Sequence, residues 1–172
     1  MTTANTFVQI GSTVTVGSGG AASISFSSIP ATYTDLVLKV SVRSSSGSFQ
    51  SIRMKVNSAT TNYSNKRLYG DGASAASDGG TPAYLIQAAV SSASETASTF
   101  GNAEFYIPNY ANANYKSLSL DSVAETNAST AYAFLGAGLW SQTTAISSID
   151  FVMGSGNFEQ YSTASLYGIL KY

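Results

Sequence analysis

The clearest signal along the chain is strict alternation. In 35–43, "DLVLKVSVR", Leu36, Leu38, Val40 and Val42 fall on one side of an extended backbone, and Val37, Lys39, Ser41 and Arg43 fall on the other. In 51–57, "SIRMKVN", Ile52, Met54 and Val56 oppose Arg53, Lys55 and Asn57. A period of two predicts half-buried strands of an antiparallel sheet, with one face to the core and one to water. No long window carries the i, i+3, i+4, i+7 spacing of an amphipathic helix. Further strands are predicted at 6–16, 22–28, 101–107, 115–125, 131–140, 146–153 and 163–170. Gly, Ser and Asn clusters separate them, and Pro30 and Pro108 each close one, where a missing amide donor does little harm. The spacing predicts one all-β domain over 1–172, an antiparallel β-sandwich, jelly-roll-like, of about eight to nine strands. Segment 70–83, "GDGASAASDGGTPA", shows no apolar alternation and is predicted as one long exposed loop.

Two segments are apolar on both faces. In "AYAFLGAGLW", Tyr132, Phe134 and Trp140 share one side, and Ala133, Leu135 and Leu139 the other. In "LYGIL", Leu166 and Leu170 oppose Tyr167 and Ile169. Such strands need a second cover. In a monomer it would be a loop, from 58–98. In an oligomer it is a neighbouring subunit, because interfaces of permanent assemblies resemble a core cut in half. The second reading makes Tyr132, Phe134, Trp140, Tyr167 and Ile169 the expected oligomer interface.

Composition narrows the chemistry. The chain has no cysteine and no histidine, so disulfides, thiolate nucleophiles, imidazole bases and the usual zinc ligand sets are excluded. Charged residues make up 10% and the net charge is −1, without the basic excess of a nucleic-acid binder. No run approaches the roughly 18 apolar residues of a membrane span. The opening "MTTANTFVQIG" lacks the pattern of a secretory signal, which predicts assembly in a cytoplasm and leaves the sequons at Asn62 and Asn127 accidental.

Carboxylates are the only candidate catalysts, namely Asp71, Asp78, and Asp121 with Glu125 on one outward face. Nine acids in 172 residues always give some pairs, and no aromatic-lined cleft can be placed around these, so the expectation is a protein without enzymatic activity or cofactor. The Asp71–Asp78 stretch offers oxygen ligands for calcium but lacks the alternating acids of an EF-hand. Half of the eight basic residues, Lys39, Arg43, Arg53 and Lys55, project from the polar sides of two consecutive predicted strands. They read as protective surface charge, as a docking face for an acidic protein surface or, third, as a nucleic-acid contact, for which the usual aromatic stacking platform is not evident.

The phrases "STVTVGSGGAASISFSSIPATYTDLVLKVSVRS", "NYSNKRLYGDG" and "FYIPNYANANYKSLSLDSVAETNASTAYAFLGAGLWSQTTAISSIDFVMGSGNFEQYSTASLYGI" resemble virion structural proteins of tailed bacteriophages, cyanophages among them. The resemblance covers nearly the whole chain and rests on fold-level motifs. It implies a jelly-roll-like module of the particle and carries over no catalytic residue. A module without a stalk points to a capsid decoration (cement) protein. Such a protein would be a homotrimer that binds the major capsid protein and stiffens the lattice of the virion. The alternative it implies is a tail or fibre module that holds host surface glycan, with the loop opening at Pro108, Asn109 and Tyr110 as its contact.

Overall fold

The alternating segments become strands, and every strand pair runs antiparallel. The structure is a computed structural model and describes residues 6–127 and 131–170. Among these residues there are thirteen strands and no helix. They are β1 (Phe7–Gln9), β2 (Val14–Thr15), β3 (Ser23–Phe26), β4 (Asp35–Val42), β5 (Gln50–Val56), β6 (Tyr63–Gly70), β7 (Ala75–Gly80), β8 (Ile86–Val90), β9 (Gly101–Pro108), β10 (Lys116–Ala124), β11 (Tyr132–Trp140), β12 (Ile149–Met153) and β13 (Thr163–Ile169).

A nine-stranded sheet has the order β1-β13-β4-β9-β10-β11-β6-β7, with β2 also paired to β13, and a four-stranded sheet has the order β3-β12-β5-β8. The fold is therefore the antiparallel β-sandwich that the periodicity predicts. The inward sides of β4 (Leu36, Leu38, Val40, Val42) and β5 (Ile52, Met54, Val56) join one buried core. Phe105 of β9 and Phe151 of β12 bridge the two sheets with ring centroids 5.2 Å apart. At β8 the sheets converge. A β-carbon on Gly136 of β11 would come within 2.8 Å of Ile86 Cδ1, so glycine is what lets β8 approach. Ala89 N there donates to Ser122 Oγ at 3.1 Å.

Two expectations are corrected. Thirteen strands replace eight to nine because 6–16 divides into β1 and β2, and because β6, β7 and β8 lie where no strand is predicted. Segment 70–83 is not a long loop. Six of its fourteen residues, Ala75–Gly80, form β7, an edge strand hydrogen-bonded to β6. Asp71 Oδ1 closes the turn by accepting from Ala73 N (2.9 Å) and Ser74 N (2.7 Å). β7 is exposed along its whole length, so neither face selects apolar side chains and hydropathy carries no trace of it.

β10 begins with a fully buried Lys116. Its Nζ donates to the carbonyl of Asn112 (2.6 Å), to that of Asn114 and, more distantly, to that of Thr143 (3.4 Å), and so ties down the 109–115 loop. Burial pushes the ammonium below the ordinary lysine range. Lys116→Met removes the donor and leaves these carbonyls to the solvent or to nothing. The expected loss is about 2 kcal/mol, read as a fall of about 4–8 °C in the thermal midpoint for a domain of this size.

Candidate functional site

The four basic residues do not form one row. Alternation tells inward from outward, but β4 and β5 sit in different sheets, whose outward faces point away from each other. Lys39 lies on the outer face of the nine-stranded sheet and pairs with Glu104 of β9 at 2.9 Å, an interaction that raises its pKa. Arg43 is buried just past the end of β4. Its Nη1 donates to the carbonyls of Thr96 and Thr99, both at 2.9 Å, its Nη2 donates to the carbonyl of Glu95, and its Nε pairs with Glu159 at 3.0 Å. It pins the 91–100 connection to the sandwich. Arg53 and Lys55 lie on the polar side of β5 in the four-stranded sheet, with the Arg53 guanidinium over the Tyr84 ring at 5.1 Å.

The expected interface residues are placed differently as well. Phe134 and Trp140 are buried within the chain, and Tyr132 is partly buried. Their cover comes from the same chain. Phe49 lies 4.1 Å from Tyr132, Tyr69 lies 5.4 Å from Phe134, and Tyr63 lies 6.5 Å from Trp140. The Arg67 guanidinium sits 5.1 Å above Phe134 and is held by Asp78 of β7 at 2.6 Å. Tyr167 and Ile169 point outward from β13 and are half-buried, with Phe7 of β1 stacked on Tyr167 at 4.8 Å. The inward side of β13 carries Leu166 and Gly168, and the Tyr33 ring lies on Gly168.

The uncovered apolar surface is the opposite face of β11 and its neighbours. Strand register sets Asp121, Leu135, Leu68 and Ser77 side by side across β10, β11, β6 and β7. The next row is Val123, Ala133, Gly70 and Ala75. Leu135 is 61% exposed, Leu68 56% and Val123 41%. Together they border a shallow groove of about 400 Å³. Asp121 stands on the β10 side of this patch, Lys66 lies on β6 one row away, opposite Ala137 and Gly79, and neither is in an ion pair with a described residue. The sequence shows Leu135 on a second apolar face, but it favours the aromatic side of that strand as the interface. Leu68 falls in a stretch where no strand is predicted, so nothing links the two.

The remaining candidates have local roles. Asp71 is held below the usual carboxylate range by the Ser74 and Ala73 amides, and Asp78 by the Arg67 guanidinium. Glu125 accepts from Asn127 N at 2.7 Å. Among the described residues no three Asp or Glu side chains gather as a metal site would require. Tyr110 is fully buried and donates its hydroxyl to the Pro30 carbonyl, while Asn109 N donates to the buried Asp35 at 3.0 Å. The 108–110 segment is thus an anchored corner, and Tyr110 cannot face a glycan. Among the described residues, fold and surface define a β-sandwich module with an uncovered apolar sheet face. No family model matches the chain, and no curated protein matches it.

Proposed function

We propose that the chain is a non-enzymatic structural protein of a tailed-bacteriophage virion, a capsid decoration protein that assembles as a homotrimer and binds the major capsid protein lattice. The phage origin rests on the sequence resemblance given above. The observation that carries the assembly role is the exposed Leu68–Val123–Leu135 face. Three hydrogen-bonded strands make this surface stiff, so covering it costs little ordering, and each Å² of apolar area removed from water contributes about 25 cal/mol. Its occupant is a second copy of this chain. The patch has an acidic residue on β10 (Asp121) and a basic one on β6 (Lys66), so a neighbouring copy can meet it with opposite charges. Head-to-tail contacts of this kind close into a ring when the rotation between copies is a third of a turn, as a homotrimer requires.

In this reading the outer face of the four-stranded sheet, with Arg53 and Lys55, is left free to meet the capsid. Each copy then adds interface area between lattice subunits and resists pressure from within. Purified particles test the role. The expected copy number is stoichiometric with the major capsid protein, and a number in the range of tail components would overturn it. An Arg53→Glu, Lys55→Glu variant should fold normally and lose particle binding. Wild-type binding should weaken with added salt, since exposed charges are screened over about 8–10 Å at ordinary ionic strength.

A further inference from the structure

Sharing no residue with the groove beside Leu135, a cleft of about 460 Å³ with a mixed polar and aromatic lining is assembled from the 18–20 turn, the end of β4, the 98–100 connection and the 157–161 turn. Tyr161 on its rim is unusual in two ways. It is 69% exposed, and its φ is +70°. Ser162 N donates to the Glu159 carbonyl at 3.1 Å, so Tyr161 is the third residue of a tight turn. Glycine or asparagine takes positive φ there at little cost, whereas a bulky side chain is strained. A tyrosine that adds strain and is left in water contributes little to the fold, and residues of this kind cluster at ligand sites.

The rest of the cleft fits a ligand of definite chemistry. Phe100 supplies a second, partly exposed ring. Arg43 is buried and satisfied by backbone carbonyls, and it fixes the Glu159 carboxylate through Oε2, leaving Oε1 as an acceptor. The Asn157 and Gln160 side-chain amides also line the cleft, and neither makes a hydrogen bond to a described side chain or backbone group. Rigid aromatic faces beside planar groups that offer both donors and an acceptor match a pyranose ring, with its apolar C–H face and its vicinal hydroxyls. The volume lies within the roughly 300–1,000 Å³ of small-molecule sites. The local charge selects further. Arg43 is already neutralised, so an anionic sugar would meet Glu159 with no free cation to offset it.

We infer that this cleft binds a neutral saccharide, with Tyr161 as its stacking platform and Asn157, Glu159 and Gln160 as its hydroxyl-binding groups. The site stands apart from the apolar sheet face and does not depend on the lattice role. The test is saturation-transfer NMR on the full chain with methyl β-D-galactopyranoside, methyl α-D-glucopyranoside and N-acetyl-D-glucosamine, each at about 10 mM. At least one sugar should receive saturation, with Kd on the order of 1 mM for a ligand of about a dozen heavy atoms. Tyr161→Gly should abolish the signal while its thermal midpoint stays within about 2 °C of wild type, because relieved strain offsets the entropy that glycine adds to the unfolded chain. Gln160→Ala, at an exposed position, should weaken binding several-fold without touching the fold. The absence of transfer to all three sugars, or equal transfer in wild type, Tyr161→Gly and Gln160→Ala, would overturn the assignment. So would a Tyr161→Gly variant that melts well below wild type, since that would make the tyrosine a structural residue.

Discussion

A Leu68→Asp, Leu135→Asp double variant is expected to run in light scattering as one chain of 17.8 kDa, where wild type runs as three. Both leucines are more than half exposed on a single chain, so replacing them removes nothing from the core. In an assembled ring each would be buried, and a Val- or Leu-sized side chain contributes about 1.5–3 kcal/mol when fully covered. Aspartate there brings an unpaired carboxylate into an apolar contact, which is heavily disfavoured. Far-UV circular dichroism of the variant should match wild type. That separates dissociation from unfolding, which is the outcome expected of substitutions at Phe134 or Trp140 on the inner side of the same strand. A wild type that stays monomeric at micromolar concentration would remove the assembly reading, and a strict dimer would remove the ring.

Gly168→Val is expected to be the most damaging single substitution in the nine-stranded sheet. Gly168 faces inward from β13, between Val8 of β1 and Leu36 of β4. The Tyr33 ring occupies the space a side chain would need, so a β-carbon there would overlap Tyr33 Cγ and both Cδ atoms. Tyr33 must leave or the strand must shift, and overpacking of this kind costs about 3 kcal/mol or more. The thermal midpoint should fall by at least about 6–12 °C. Adding Tyr33→Ala to Gly168→Val should recover part of the loss, because the two positions share one volume. Simple additivity of the two losses would mean that the ring can move aside freely.

What the sequence reveals and what it hides follow from which surfaces are buried. β9 and β10 alternate cleanly because each has one face in the core, β4 and β5 alternate only toward their C-terminal ends, and all four are predicted within a few residues of their bounds. β6 and β7 continue the large sheet beyond β11, and β7 has water on both sides. It is specified by backbone pairing and by the Arg67–Asp78 clamp, which hydropathy does not register. The proposed basic row fails for a different reason. Alternation assigns a residue to a side but not to a sheet, and the 43–49 connection crosses from one sheet to the other instead of turning back as a hairpin. β11 is a partial success. Its composition announces that both faces are apolar, yet only the fold shows that Phe49, Tyr69 and Arg67 already cover the aromatic one. Tyr161 has no signature at all, since a positive φ under an aromatic residue is a property of the closed turn.

The place of β13 in the large sheet governs when the chain can fold. It lies between β1 and β4, and it also pairs β2, so residues 163–169 hold together three strands from the first 42 positions. During synthesis those early strands wait without their partner while more than a hundred further residues are added, at about 5–20 residues per second. The β9–β10–β11 meander can form in that interval from neighbouring sequence, but β4 is left with one edge open until residues 163–169 leave the ribosome. Closure across such sequence separation carries a large entropic barrier, which places refolding in the slow, millisecond-to-second regime of all-β domains. The nascent chain is therefore most exposed to mispairing with its own copies just before its last strand arrives.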